Sequence, residues 1–394
     1  MNLFNPIQAT FQAGQLSPSF LGRRDTKQYY SGAKKIKNMI VTPSGAVTRR
    51  PPTKLLDYTA AAFDASTVSL FPFQSAPDKS YLVEVVGNVG DVDFNIWKRS
   101  SGTTTLVHTF TSAISDIFDS WSTVDFAQSR DVMYFTFKNK ITSIEKIKKL
   151  TRLSDTSWTF EDIDLKDGPY DLINQQLNVR LKPNAKEATY IEVLNDSNAD
   201  VYYFSTADIG RLVRIRHNVE PDEDLDAIHW GYAVIDSLNS SYELGGLYRR
   251  AEVTTLVPFG VGNKTKNFRL GAYSDTTGYP QKISFHQNRL FLADENRVLG
   301  SVANDFENHA PTEADNQLNH IQGPDSAIDL KMLDLRAERI NWLSSDQVLH
   351  IGTNDGRYIL SPPDGTLQPS NLSFIKQSNI GSSNVKPVVV DNTI

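Results

Sequence analysis

The chain of 394 residues contains no cysteine. Disulfide bonds, thiolate metal sites, iron–sulfur clusters and cysteine nucleophiles are therefore excluded. No window approaches the roughly 18 apolar residues that a membrane helix requires, so no membrane-spanning segment is predicted. Residues 1–20 lack a charged start followed by a continuous apolar run, so no signal peptide is predicted either. These absences predict a soluble protein made in a cytoplasm.

Helical periodicity is also scarce. Short alternating runs separated by turn residues recur instead, which is typical of β-strands. Four segments each predict an antiparallel meander of three strands, and they begin at Ser69, Ser122, Lys282 and Ile340. In the fourth, Asn354-Asp355-Gly356 is predicted to supply the positive-φ residues of a tight hairpin.

The spacing of these segments predicts an insertion. The first two begin 53 residues apart and the last two 58 apart, whereas the middle pair begins 160 apart. About 100 extra residues, the length of a small domain, lie between them. The sequence therefore predicts a mainly β fold, a β-propeller of meander blades interrupted by a β-barrel-like domain. A β-sandwich with meanders of similar spacing is the alternative.

Predicted boundaries follow from this organisation. They are an extended N-terminal arm at 1–57, the first blades at 58–170, the inserted β domain at 171–267 and the remaining blades at 268–394. The final segment "VKPVVVDNTI" resembles the first strand of an unfinished hairpin. Because an unpaired apolar strand invites aggregation, we expect it to pair elsewhere or the propeller to continue beyond residue 394.

Sequence motifs for chemistry are lacking. The seven histidines show no metal-ligand spacing, and the acidic run "EPDEDLDAIHW" from Glu220 lacks the pattern of a calcium loop. No nucleophile elbow, phosphate loop or dinucleotide fingerprint is present. We predict no catalytic residue, no cofactor and no metal. In "RLVRIRH", Arg214 and Arg216 share one strand face, which indicates either an anion-facing strip or a charged edge strand.

Charge is distributed unevenly. Residues 20–56 hold nine of the 40 Lys and Arg but one acid, Asp25, and leave 31 bases against 45 acids elsewhere. Glycines and prolines break this segment, and apolar residues such as Phe20, Tyr29 and Tyr30 alternate with its charges. That mixture favours a segment laid over a protein surface, with nucleic-acid binding or a solvated loop as alternatives. The predicted interface residues are Arg23, Arg24, Lys27, Tyr29, Tyr30, Lys34, Lys35, Lys37, Arg49 and Arg50.

Several motifs resemble one protein family. The arm sequence "AGQLSPSFLGRRDTKQYYSGAKKIKNMIVTPSGAVTRRPPT" resembles the N-terminal segment of the nozzle family of short-tailed phages, also called tail tubular protein B or packaged-DNA stabilisation protein. Further similarities follow in the family's order: "DGPYDLIN", "FSTADIGRLVRIRH" with "WGY", "LGAYSDTTGYPQKISFHQNRLFLA", and "INWLSSDQVLHIGTNDGRYIL". Two Gly-Gly pairs of the family pattern are reduced here to Ala13-Gly14 and Gly45-Ala46.

The resemblance implies a structural virion protein and not an enzyme. In this family six copies form a ring below the head-to-tail adaptor, and double-stranded DNA leaves through the lumen without sequence-specific binding. Expected partners are other copies of the chain, the adaptor and tail fibres, and the expected location is the virion tail, after assembly in the host cytoplasm. The alternatives are a propeller-type polysaccharide depolymerase and a receptor-binding tail protein.

Overall fold

The structure, a computed structural model, describes residues 8–52, 68–87, 91–100, 102–115, 124–137, 145–218, 228–260, 263–314, 320–332, 339–362 and 366–387. The chain divides into two compact units, Met1–Ala61 and Ala62–Ile394. We call the first the arm and the second the body. None of the helices in the described segments has the length and apolar character needed to cross a bilayer.

The arm is built from short elements joined by turns. They are β1 (Gly14–Gln15), α1 (Lys27–Ser31), β2 (Gly32–Ala33), β3 (Met39–Val41) and β4 (Val47–Arg49). Strands β1 and β2 pair in parallel, and β3 and β4 form an antiparallel hairpin. The hairpin turn uses Gly45 at φ +84°, a conformation that suits glycine because it has no Cβ.

The body begins with two antiparallel four-stranded sheets, which we call blades 1 and 2. Blade 1 consists of β5 (Val68–Ala76), β6 (Lys79–Gly87), β7 (Asp91–Ser100) and β8 (Thr103–Ser115). Blade 2 consists of β9 (Val124–Ser129), β10 (Val132–Phe137), β11 (Lys148–Arg152) and β12 (Trp158–Asp162). Pro72 lies in β5, the sheet-edge strand of blade 1, where its missing N–H breaks no ladder between two neighbours.

A six-stranded antiparallel sheet interrupts the series of blades. It contains β13 (Arg180–Pro183), β14 (Tyr190–Leu194), β15 (Leu212–Asn218), β16 (Ile228–Leu238), β19 (Arg250–Val257) and β20 (Phe268–Leu270), in the order β13-β14-β19-β16-β15-β20. A small hairpin, β17 (Glu243–Leu244) and β18 (Leu247–Tyr248), precedes β19. Leu181 of β13 and Thr265 exchange two backbone hydrogen bonds of 3.0 and 2.9 Å. Because Thr265 leads into β20, these bonds bring the two ends of the sheet together into a barrel.

Two further blades complete the described body. Blade 3 consists of β21 (Lys282–His286), β22 (Arg289–Asp294), β23 (Arg297–Gly300) and β26 (Ile328–Lys331), with the short hairpin β24 (Glu313–Ala314) and β25 (His320–Ile321) inserted before its last strand. Blade 4 consists of β27 (Ile340–Ser345), β28 (Leu349–Thr353), β29 (Arg357–Ser361) and β30 (Ser373–Ser378).

Blade 3 is buried on both faces. In β22, Leu290 and Leu292 pack in a cluster with Tyr134 of blade 2, whereas Phe291 and Ala293 pack in a cluster with Leu343 of blade 4. This explains why β22 is almost continuously apolar, since both of its alternating sets of side chains face a neighbouring sheet. Blades 1 and 2 share a third apolar cluster, rich in phenylalanine.

The predicted fold class is confirmed: the chain is mainly β, with antiparallel blades and an inserted barrel-like sheet. Blades 1, 3 and 4 each have a fourth strand beyond the three predicted. In blade 2 both β11 and β12 lie beyond the predicted meander, which ended at residue 144, and its predicted third strand lies outside the described residues. The prediction of positive-φ residues in the turn at 354–356 is wrong, because none of these three residues has a positive φ. Thr353 Oγ1 instead accepts the backbone N–H groups of Gly356 (2.9 Å) and Asp355 (3.3 Å), so a side chain replaces the left-handed residues.

One glycine in blade 4 is required by a neighbouring side chain. Trp342 lies over Gly352, and a Cβ on that glycine would stand 2.1 Å from Trp342 Cε2. Trp342 is buried, so its ring has little room to move. We expect Gly352→Ala to destabilise the body by about 1–3 kcal/mol, the usual cost of overpacking.

Thermal unfolding followed by tryptophan fluorescence measures this effect. The double variant Gly352→Ala with Trp342→Phe serves as the matched control, because the smaller ring relieves the clash. Gly352→Ala should lower the melting temperature more in the native background than in the Trp342→Phe background. Equal effects in both backgrounds would contradict the steric explanation.

Candidate functional site in the arm and the channel

The arm has its own internal contacts. Gln8 Nε2 donates to the Gly32 carbonyl at 2.6 Å, and Phe11 N donates to the Gly45 carbonyl at 2.8 Å. Leu16 packs so closely on Gly32 that a Cβ there would approach its Cδ2 to 2.4 Å. These contacts fold residues 8–52 onto themselves and leave most long side chains pointing outward.

Nine of the ten predicted interface residues are exposed, and Tyr29 is half-buried. Within residues 8–52 and the rest of the described chain, Arg23 alone among the arm's eight described bases forms an ion pair, with Asp25 at 2.8 Å. Arg50 donates to the amide oxygen of Asn38 at 3.1 Å. The arm therefore presents seven cations without a carboxylate partner in this part of the chain.

Apolar side chains accompany these charges. Four of the predicted residues, Arg24, Tyr29, Tyr30 and Lys34, line one groove of about 660 Å³ together with Leu16 and Leu21. The rings of Tyr29 and Tyr30 meet edge to face, with centroids 5.4 Å apart. Phe20, Met39 and Ile40 are also exposed, by 40%, 55% and 51%. A surface that combines free cations with exposed apolar groups is typical of a protein contact.

The first strands of all four blades, β5, β9, β21 and β27, border one cavity of about 430 Å³ together with residues 384–386. We call this cavity the channel. Asp125 of β9 is buried here, and its Oδ1 accepts a hydrogen bond from Lys386 Nζ at 2.9 Å. Sequence reasoning missed this pair, since residues 385–387 were predicted to begin a hairpin strand and the structure places them outside any strand. Residues 388–394 of that prediction lie outside the described residues.

The edge-strand interpretation of Arg214 and Arg216 is wrong, whereas the positive charge of Arg214 acts on one carboxyl group, that of Asp167, and opposes the rise in its pKa. Strand β15 lies between β16 and β20, so it is not an edge strand. The Arg214 guanidinium is buried between the rings of Tyr170 (5.5 Å) and Trp230 (5.0 Å), and its Nη2 donates to Thr312 Oγ1 at 2.7 Å. The side chain is thus part of the packing between the barrel and blade 3. The acidic run at Glu220, Asp222, Glu223, Asp224 and Asp226 lies outside the described residues.

Three carboxyl groups have a raised pKa because burial desolvates them. They are Asp167, Asp171 and Asp294, the last with a pKa of about 6. Tyr170 Oη donates to Asp167, and Arg211 and Arg297 face Asp171. None of the three lines the channel or the 220 Å³ cavity between blade 2 and the barrel. Asp167 is buried, whereas Asp171 and Asp294 are half-buried. Raised pKa values of this kind also occur in structural ion-pair networks.

Comparisons with known proteins assign no family. No family profile and no curated protein matches the chain. Among solved structures, a Lactobacillus plantarum protein is similar at 11% identity over 88% of this chain and 80% of its own, with a TM-score of 0.33. A candidate glycoside hydrolase from Parabacteroides distasonis is similar at 11% identity over 58% of this chain and 83% of its own, with a TM-score of 0.17. At these TM-scores neither structure supports an inference about activity.

Two histidines are held neutral by the body. Burial lowers the pKa of both His286 and His309 to about 4. His286 Nδ1 pairs with Ser345 Oγ at 2.8 Å, while both ring nitrogens of His309 lack a hydrogen-bond partner in the described chain. No cluster of potential metal ligands occurs among the described residues. These rings are therefore packing groups that resist protonation.

His309 should make the body sensitive to acid. Because its pKa is lower in the folded than in the unfolded chain, the unfolded state gains protons first as pH falls from 6.5 towards 4, and stability is lost across that window. A pKa near 4 corresponds to a loss of about 2 kcal/mol at pH 5. Burial acts on Asp294 in the opposite sense, because a carboxyl with a raised pKa adds stability as pH falls through 6.

The comparison of wild type with His309→Phe isolates this contribution. Urea unfolding at pH 7 and pH 5 should show a smaller loss of stability in the variant, by about 2 kcal/mol. Each protein at pH 7 is its own reference, so any packing change caused by the substitution cancels. An identical pH dependence in the two proteins would show that His309 does not stay neutral in the fold.

Proposed function

We propose that this chain is a structural virion protein that forms the ring-shaped tail nozzle of a short-tailed phage. The ring, expected to hold six copies, would lie below the adaptor and conduct double-stranded DNA. The observation that carries the proposal is the arm. It is a unit of its own, with seven exposed cations that have no carboxylate partner in the described chain, on a protein that is otherwise acidic.

The charge distribution supports assembly from identical copies. A closed ring requires two different, complementary surfaces on each subunit. Residues 20–56 carry an excess of eight bases and the rest of the chain an excess of 14 acids. Attraction between opposite charges accelerates encounter and fixes orientation, while exposed apolar groups such as Tyr30, Met39 and Ile40 provide area to bury.

The acidic body also suits a conduit. DNA binds tightly to surfaces that neutralise its phosphates and release counterions. An acidic surface offers no such exchange, so a duplex can slide past it. The fold adds a second line of support, because the propeller with an inserted barrel agrees with the architecture that the resemblance implies. No catalytic role is part of this proposal.

Charge reversal in the arm tests the proposal. We expect Arg23, Arg24, Lys34, Lys35 and Lys37 changed together to Glu to prevent ring formation with the adaptor. The matched control reverses five exposed bases of the body: Lys79, Arg99, Lys182, Lys331 and Arg357. Both variants change the net charge by the same amount. Mass photometry of each protein with and without adaptor then shows whether ring formation depends on where the reversed charges lie or only on the net charge.

The outcomes separate the alternatives. Rings with the wild type and the body variant, but not with the arm variant, support the nozzle and its basic arm. Rings that also survive in the arm variant would retain the nozzle and remove the arm from its assembly. A wild-type monomer that ignores the adaptor would contradict the proposal and favour a polysaccharide depolymerase or a receptor-binding protein. Because the contact is electrostatic, ring yield should also fall as NaCl rises from about 0.1 to 1 M.

A further inference from the structure

A segment that follows blade 4 borders the channel. We call residues 381–387 the strap. At its start, Ser382 donates its backbone N–H and its hydroxyl to the Thr353 carbonyl, at 2.8 and 2.9 Å. Its carbonyl in turn accepts Asn341 Nδ2 at 2.6 Å. Both partners, Thr353 and Asn341, belong to blade 4, so these hydrogen bonds anchor the start of the strap to that blade.

The strap then reaches the two neighbouring blades. Lys282, at the start of β21 in blade 3, donates its ammonium to Asn384 Oδ1 at 2.5 Å. Two residues later, Lys386 extends to blade 2. Three blades therefore contact the strap through side chains at the channel-facing ends of their first strands. The strap is not part of any sheet, so it is held mainly by these specific groups and not by a β-ladder.

The Lys386 ammonium lies in a formed pocket. It donates to Asp125 Oδ1 at 2.9 Å and to the Phe126 carbonyl at 2.8 Å, and it stands 5.1 Å from the centre of the Phe126 ring. A carboxylate, a carbonyl and an aromatic face together satisfy the charge and the donors of a primary ammonium. The Asp125 side chain is 8% exposed, and its other oxygen accepts Ile283 N at 3.2 Å.

Asp125 connects this pocket to the body. Its two oxygens bridge the backbone of β9 and that of β21, since Oδ1 also accepts Phe126 N at 2.9 Å. A buried carboxylate is costly unless it is paired with a cation or saturated with hydrogen bonds. Lys386 supplies the cation, and its side chain is still 39% exposed. The pocket is therefore open to solvent along the lysine side chain.

We propose that the mouth of the channel is a binding site for an extended peptide segment of the form Asn-x-Lys, which Asn384–Lys386 occupy in cis. Asp125 and Phe126 select the lysine, and Lys282 selects the amide oxygen two residues earlier. Asn341 Nδ2 donates to a backbone carbonyl, a group that a peptide of any sequence supplies. The site is distinct from the arm and does not rest on the proposed function.

Hydrogen exchange of the strap amides tests the role of the lysine. In the whole chain, Lys386→Ala and Asp125→Asn should each speed exchange of the Ser382 amide, which donates to the Thr353 carbonyl, by about tenfold, the effect of losing one hydrogen-bonded charge pair that holds the strap. The double variant should exchange no faster than either single variant, because both remove the same contact. Lys331→Ala, which removes an exposed lysine on β26, should leave the strap unchanged.

Binding in trans tests the recognition itself. A fluorescent heptapeptide with the sequence of residues 381–387, GSSNVKP, is titrated into wild type and Lys386→Ala, and its anisotropy is measured. The peptide should bind the variant at least about tenfold more tightly, because the wild-type strap competes at the millimolar effective concentration of a tethered segment. A peptide with Gln in place of Lys should bind neither protein, and Asp125→Asn should abolish binding.

Each unfavourable result would overturn the inference. Unchanged strap exchange in both single variants would show that the ammonium does not hold the strap. Equal binding of the Lys and Gln peptides would show that the site does not select lysine. If the effects of Lys386→Ala and Asp125→Asn on exchange simply add, the two groups act separately and the pocket is not the site described here.

Discussion

The body depends on burying both faces of one sheet. Blade 3 packs its Leu290 face against blade 2 and its Phe291 face against blade 4, and it also carries Arg297. That guanidinium bonds to Asp329 of the same blade, to the Tyr170 carbonyl and to Asp171 at the entrance of the barrel. Blade 3 thus holds three neighbours in place: blades 2 and 4 through apolar contacts, and the barrel through the charged contact of Arg297 with Asp171. Without it, neither the channel nor the junction with the barrel would have a defined geometry.

The sequence predicted the features that depend on local pattern. Alternation in β5 and β28 and the wide gap between the second and third meanders were enough to predict blades and an inserted barrel-like domain. The fourth strands were missed, since they lie far along the chain from the meander or, like β8, are rich in threonine and poor in large apolar residues. The turn after β28 was assigned from its Asn-Asp-Gly sequence, but the hydroxyl of Thr353 decided its conformation.

The arm and the Asp125–Lys386 pair also differ in how far the sequence alone could predict them. The basic and aromatic composition of the arm was visible without a structure, because a charge excess in one segment needs no knowledge of contacts. Asp125 and Lys386 are 261 positions apart, and nothing in either local sequence marks them. Arg214 shows the opposite case: its strand pattern was clear, yet Tyr170 and Trp230 come from distant segments and bury it. Long-range contacts of this kind follow only from the assembled sheets.

The closure of the barrel has a consequence for the chain as a whole. Where the chain enters, Asp171 N donates to the Leu270 carbonyl; where it leaves, Ala272 N donates to the Pro169 carbonyl. The two ends of the insertion therefore lie side by side and are hydrogen-bonded to each other. Removing everything between them would leave a gap that a tight turn can span. The chain thus enters and leaves the barrel at one place, while side chains such as Arg214 and Arg297 pack the barrel against blade 3. The inserted segment can therefore change in length without altering the path of the chain through the blades.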